Sequence, residues 1–184
     1  ELSFQNGVPV AINGEKLSGP VLVDKLNRLG AEHGVGRGVH LGDTILGIKG
    51  RVAFEAPAAT ILLDAHRELE KLVLTRWQQS LKDKMADFYG MFLHEAMFYD
   101  PVVEDIEAMI SSSQYHVTGQ VRVSLKKGVH CVEGVKSPYS MMAAASATYG
   151  ETQSLWNGRD AEGFTKIYGL QGRIATLAKK PQNK

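Results

Sequence analysis

The sequence predicts an α+β fold in which β-hairpins pack with several helices and a protruding C-terminal helix serves oligomerisation. Three observations lead there. Short β-prone runs flank glycine turns near both ends of the main body. Apolar residues recur at helical spacing through three intervening segments, and residues 117–125 alternate strictly between apolar and polar.

The first hairpin comes from Leu2–Phe4 and Val8–Ile12 around Gln5-Asn6-Gly7, because an Asn-Gly pair supplies the positive φ angles of a tight turn. Asn13-Gly14 closes its second strand. Ser18 and Pro20 signal helix entry, and Leu22, Leu26 and Leu29 keep the period until Gly30 and Gly34, giving a helix over about 20–33. Residues 34–56 hold six glycines, at 34, 36, 38, 42, 47 and 50, and read as loops around a short strand near Thr44–Ile48.

Apolar positions 58, 61, 62, 65, 69 and 72, then Trp77, Leu81, Met85, Phe88 and Phe92, predict two helices parted near Thr75, with the Trp77 and Phe88 stripe in the core. Asp100-Pro101 caps a helix that turns Val102, Ile106, Met109 and Ile110 inward and ends at Ser111-Ser112-Ser113. Val117–Leu125, the turn Lys126-Lys127-Gly128 and Val129–Val135 make a second hairpin, stopped at Pro138. Met141–Gly158 is weakly patterned. Asp160 caps a last segment carrying Phe164, Ile167, Tyr168, Ile174 and Leu177, a stripe with little chain after it and so expected to pack on another subunit.

Composition excludes several roles. With 184 residues, 43% of them hydrophobic, the chain can bury one core. Its 21 Lys and Arg against 20 Asp and Glu generate no field to gather nucleic acid or anionic membrane. A nucleic-acid domain using the Lys126-Lys127 hairpin is disfavoured for that reason, and a small zwitterionic ligand or a protein partner fits better. No apolar run approaches the roughly 20 residues of a membrane span. The single Cys131 permits no internal disulfide, which points to the cytoplasm. The start, Glu1-Leu2-Ser3-Phe4, without methionine, is read as the start of an excised piece of something longer.

Chemistry is sparse. Gly34-Val35-Gly36-Arg37-Gly38 has glycines but neither a following helix pattern nor a Lys-Ser/Thr pair, so it reads as a turn and not as a phosphate loop. The six histidines are scattered. His130 and Cys131 are adjacent on a strand and face opposite ways, so no metal site is expected. One constellation stands out: Asp43, Lys49, Arg51 and Glu55 inside the glycine-dense stretch are either a polar ligand site or a surface charge cluster.

Leu29-Gly30-Ala31-Glu32-His33-Gly34-Val35-Gly36-Arg37, Gly47-Ile48-Lys49-Gly50-Arg51 and Phe54-Glu55-Ala56-Pro57 together resemble the central signature of the argininosuccinate synthases. Gly7–Gly14, Val117–Val121, Lys136–Ser140 and Asp160–Phe164 follow in that family's order, so the resemblance covers nearly the whole chain. It implies an ATP-dependent ligase of arginine biosynthesis: ATP, with Mg, adenylates the ureido oxygen of citrulline, and the aspartate amine displaces AMP.

The family's ATP-binding domain would lie in an amino-terminal half absent from this chain. Residues 1–159 would be the synthetase and multimerisation domain and 160–184 a helical oligomerisation arm, in a homotetramer. No catalytic residue is expected in this half, and the isolated fragment is expected to be inactive. The citrulline site is expected at Gly42, Asp43, Lys49, Arg51, Phe54 and Glu55.

Two departures matter. Gly42 stands where the family has a glutamate that can answer the α-ammonium of citrulline, and Phe54 where it has a tyrosine. Asp43 is the expected stand-in for the lost carboxylate. The changes also leave open a non-catalytic assembly module, or a synthase acting on N-acylated citrulline.

Overall fold

The computed structural model describes residues 1–145 and 155–179, divided into two compact units, Glu1–Met141 and Met142–Lys184. The first unit opens with β1 (Leu2–Gln5), β2 (Val8–Ile12) and β3 (Glu15–Lys16). Asn6 and Gly7, at φ 49° and 79°, make the β1–β2 turn as their side chains demand, and Asn13 and Gly14 repeat the device before β3.

Helix α1 (Gly19–Glu32) follows, with Pro20 in its first turn and Leu22 and Leu26 buried. Next come β4 (Arg37–Asp43), β5 (Lys49–Glu55), α2 (Pro57–Val73), α3 (Arg76–His94), α4 (Pro101–Gln114), β6 (Gly119–Lys126), β7 (Val129–Lys136) and α5 (Met141–Ala144).

The two outer hairpins join through an antiparallel β1–β6 pairing, Leu2 opposite Val121, into one five-stranded sheet of order β3-β2-β1-β6-β7. Helix α2 lies across β6 and β7 and against α1, which touches β2. The core is the seam: Leu2, Phe4, Ile12, Leu22, Leu26, Ile61, Leu69, Val117 and Val121 are all buried within it. The mixed α+β class read from the sequence is the class observed.

The break between α2 and α3 falls at Leu74 and Thr75, where Thr75 and Gln78 satisfy each other's backbone N–H groups. Beneath it Glu70, only 5% exposed, takes Lys82 Nζ at 2.6 Å and Gln114 Nε2 at 2.8 Å; His66 Nε2 donates to Gln114 Oε1 at 2.9 Å. One carboxylate thus ties α2 to α3 and α4.

Several local expectations change. Residues 34–56 are not loops around a strand at Thr44–Ile48; they form the two-stranded sheet β4–β5, and Thr44–Ile48 is its turn. Gly47 at φ 73° reverses the chain, and Thr44 N–H donates to Ile48 O at 2.9 Å. The Trp77 and Phe88 stripe is not core: Trp77 is 70% exposed beneath the Arg76 guanidinium, Phe88 is also exposed, and Phe92 alone is buried on α3.

Helix α4 runs past the three serines to Gln114, because Ser113 Oγ donates to Ile110 O and Gln114 is anchored on Glu70. Val103, not Val102, is its buried valine. Strand β6 begins at Gly119, two residues after Val117, which is buried and whose carbonyl accepts from Gly7 N–H.

In the second unit the final segment is two helices, α6 (Gly158–Tyr168) and α7 (Leu170–Ala178), parted at Gly169. Asn157, not Asp160, is the cap; Asp160 completes the capping box from the third helical position. Part of the weakly patterned stretch, residues 146–154, lies outside the described residues.

Candidate functional site

The glycine-dense stretch becomes a β-hairpin that leaves the body at a packed root. Gly36, at φ 80°, sits so close to α2 that a Cβ there would lie 2.5 Å from Pro57 Cα. Ala56 N–H donates to Gly36 O at 2.8 Å and locks the strand ends together. At the far end, His94 Nε2 of α3 donates to Asp43 O at 3.1 Å. Between root and tip both faces are largely exposed.

Register decides what shares a face. Arg37 opposes Glu55, Val39 opposes Ala53, Leu41 opposes Arg51 and Asp43 opposes Lys49; the alternate pairs are Gly38 with Phe54, His40 with Val52 and Gly42 with Gly50. Opposed residues of an antiparallel pair project to the same side and neighbours along a strand to opposite sides. One face therefore carries every charged side chain of the two strands: Arg37, Asp43, Lys49, Arg51 and Glu55. The other carries His40, Val52, Phe54 and three glycines.

The six expected site residues are thus divided. Asp43, Lys49, Arg51 and Glu55 come together on the charged face, where Lys49 Nζ meets Asp43 Oδ2 at 2.7 Å. Gly42 and Phe54 share the opposite face. Asp43 projects away from Gly42 and is already engaged by Lys49.

What stands beside Gly42 is His40: a Cβ built on Gly42 would fall on His40 Nε2. In the same way a Cβ on Gly38 would lie 2.8 Å from the Phe54 ring, so both rings cover bare backbone. Sequence reasoning passed over His40. The signal that finds it is two-residue alternation back from Gly42, usable only once β4 is known to be a strand.

Two open clefts flank the root. One of about 570 Å³ lies among the end of α1, the Gly34–Arg37 turn and the β6–β7 tip, lined by residues including His33, Arg37, Glu55 and Lys127. The other, about 530 Å³, is bounded by Arg37, Gly38, Phe54 and Glu55 among others. Arg37 and Glu55 border both.

The Gly34–Gly38 turn does not fit a nucleotide phosphate. It feeds a strand, so its N–H groups do not stand at a helix N-terminus, and Gly36 is spent on contact with Pro57. Among the described residues no group of three His, Cys, Asp or Glu side chains is placed to hold a metal ion. No described helix is long and apolar enough to cross a membrane.

Body and hairpin together define an α+β domain that presents one charged and one ring-bearing face on a projecting arm. A family model described as the arginosuccinate synthase C-terminal domain matches residues 1–175, and the chain belongs to that family. It is 41% identical over its whole length to the argininosuccinate synthase of Carboxydothermus hydrogenoformans, covering 46% of that protein. It is 42% identical over 173 residues to that of Synechococcus sp. (strain JA-3-3Ab), covering 43% of it, and 39% identical over 180 residues to that of Methanocaldococcus jannaschii, covering 45% of it. Against each, 94–100% of this chain is aligned, and it spans under half of the relative's length. The family is one of ligases of arginine biosynthesis.

Proposed function

We propose that this chain is the synthetase half of an argininosuccinate synthase, contributing one wall of the citrulline site and the contacts that assemble the oligomer. The β4–β5 hairpin carries the reading. It is the element that holds the family's central motif, and it projects with both faces largely uncovered where a small polar substrate can be enclosed against another part of the protein.

In this reading positions 42 and 54, which share a face, contact citrulline. Lys49, Arg51 and Glu55 on the reverse face, with Asp43, fix the arm against neighbouring structure. The Lys49–Asp43 pair spans the tip on that reverse face and turns the Asp43 carboxylate away from the substrate. ATP with Mg and aspartate are held by an amino-terminal half, since the Gly34–Gly38 turn makes no phosphate cradle. The intact protein works as a homotetramer in the cytoplasm.

The test compares the 184-residue chain with the intact protein that carries it, supplied with ATP, Mg, citrulline and aspartate. Argininosuccinate and AMP are expected from the intact protein and background turnover from the chain alone. AMP released at an enzymatic rate by the isolated chain refutes the division of labour. An intact protein that makes neither argininosuccinate from citrulline nor the N-acylated argininosuccinate from an N-acylated citrulline refutes the ligase reading.

A further inference from the structure

We propose that His40 is a specificity-determining residue of this site, and that the substrate group laid against it is an acylated, uncharged α-nitrogen instead of a free ammonium. The inference rests on the citrulline reading above and deepens it.

Two independent observations carry it. The first is steric. The imidazole occupies the room a side chain at position 42 would take, so the polar group presented at this point of the face is His40 Nε2. Directly across, Gly50 adds no side chain, which leaves space over the backbone for a group bulkier than an ammonium.

The second is electrostatic. Alternation sends all five charged side chains of the two strands to the reverse face, with Asp43 bound to Lys49 at 2.7 Å. On the His40 face neither strand projects a carboxylate, and the nearest, Glu55, borders the cleft at the root and not the Gly42 end. An ammonium enclosed against it would give up water without gaining a counter-charge, a costly exchange. An amide carbonyl suffers no such loss, and an imidazole N–H is a donor suited to it. If the acyl group ends in a carboxylate, the same nitrogen meets a stronger acceptor.

Selection of an N-acylated citrulline then comes from what the face withholds from the free amino acid as much as from what it offers the acylated one. Asp43 could reverse this only if the strand rotated by one residue, which the Asp43–Lys49 pair and the His94 contact at the tip oppose.

The experiment measures kcat/KM of the intact protein for citrulline, N-acetylcitrulline and N-succinylcitrulline, with His40→Ala and His40→Gln beside the parent. At least one acylated substrate is expected to exceed citrulline by about tenfold or more, the scale of one hydrogen bond to a charged group. His40→Ala should lower that ratio about tenfold, mainly through KM, and His40→Gln, which keeps an N–H donor, should restore part of it. A general folding defect would depress all three substrates alike and leave the ratio alone. Citrulline equal or preferred, or a ratio unmoved by His40→Ala, overturns the inference while the ligase reading stands. No turnover of any of the three overturns both.

Discussion

Replacing Lys82 with methionine tests the Glu70 tie that joins α2 to α3 and α4. Lys82 Nζ lies 2.6 Å and 2.7 Å from the two oxygens of Glu70, with side-chain exposures of 18% and 6% for lysine and carboxylate. Removing one member of a buried ion pair costs about 3–5 kcal/mol, because the other is left charged and desolvated. Here Gln114 Nε2 still donates at 2.8 Å and the site is not fully closed, which places the loss near the lower end, about 3 kcal/mol.

The cost should also depend on pH. Burial holds His66 below its ordinary value; Glu70 pulls it up and Lys82 pushes it down. In the parent, the fold favours neutral imidazole, so this stabilisation is complete above the unfolded value of about 6.5 and is lost as pH falls through the lower folded value. Without Lys82 the push disappears, and an imidazolium whose Nδ1 sits 3.7 Å from Glu70 can serve as counter-charge.

Urea denaturation followed by circular dichroism at about pH 8 and about pH 5.5 should then show a penalty near 3 kcal/mol that shrinks by about 1 kcal/mol or more at the lower pH. A penalty below about 1 kcal/mol, or one equal at both pH values, refutes the description of Glu70 as the carboxylate that pins three helices.

Two further outcomes are expected. Gly36→Ala should destabilise by about 3 kcal/mol, from positive φ plus a Cβ 2.5 Å from Pro57 Cα, while Gly47→Ala, also at positive φ but facing open space, should cost only about 1 kcal/mol; equal Tm shifts for the two would show that the hairpin root is not packed as described. Deleting the chain from Asp160 onward should lower the assembly state seen by light scattering, since Phe164, Ile167, Tyr168, Ile174 and Leu177 are each more than half exposed, and a monomer before and after deletion would refute the self-association reading.

Local chemistry made much of the fold legible. Asn6-Gly7 and Gly128 announce their turns because few other residues tolerate those φ angles, and the break in apolar period near Thr75 falls where Thr75 and Gln78 cap a helix start. The union of the two hairpins was not legible. It depends on β1 meeting β6 across more than a hundred residues, seen also in Asn6 N–H donating to Thr118 Oγ1, and no local pattern encodes such a partner. Trp77 failed for a related reason: periodicity says which residues share a stripe, but not whether a neighbouring helix reaches far enough to cover it. Helix α4, at 14 residues, is shorter than α3 at 19.

The site shows where the sequence signal inverts. Thr44, Ile45 and Ile48 are strand formers by propensity yet make a turn, because Gly47 supplies the reversal and Thr44 binds Ile48 through backbone and hydroxyl. Gly38, Gly42 and Gly50 are poor strand formers yet sit inside strands, where a glycine marks a close approach of something else to the backbone. At Gly38 and Gly42 that something is a ring from the same face, Phe54 or His40. Mistaking turn for strand removes the register, and with it the two-residue period that assigns faces. Asp43 and Gly42 are then read as one patch because they are adjacent in sequence. In the hairpin adjacency separates them. Bringing both to one ligand would require a bulge between them, since a one-residue slip of β4 against β5 only exchanges their faces and leaves them on opposite sides, and it would strip the Asp43–Lys49 contact from the tip. Position 40, two residues away, reaches the Gly42 face without any such rearrangement.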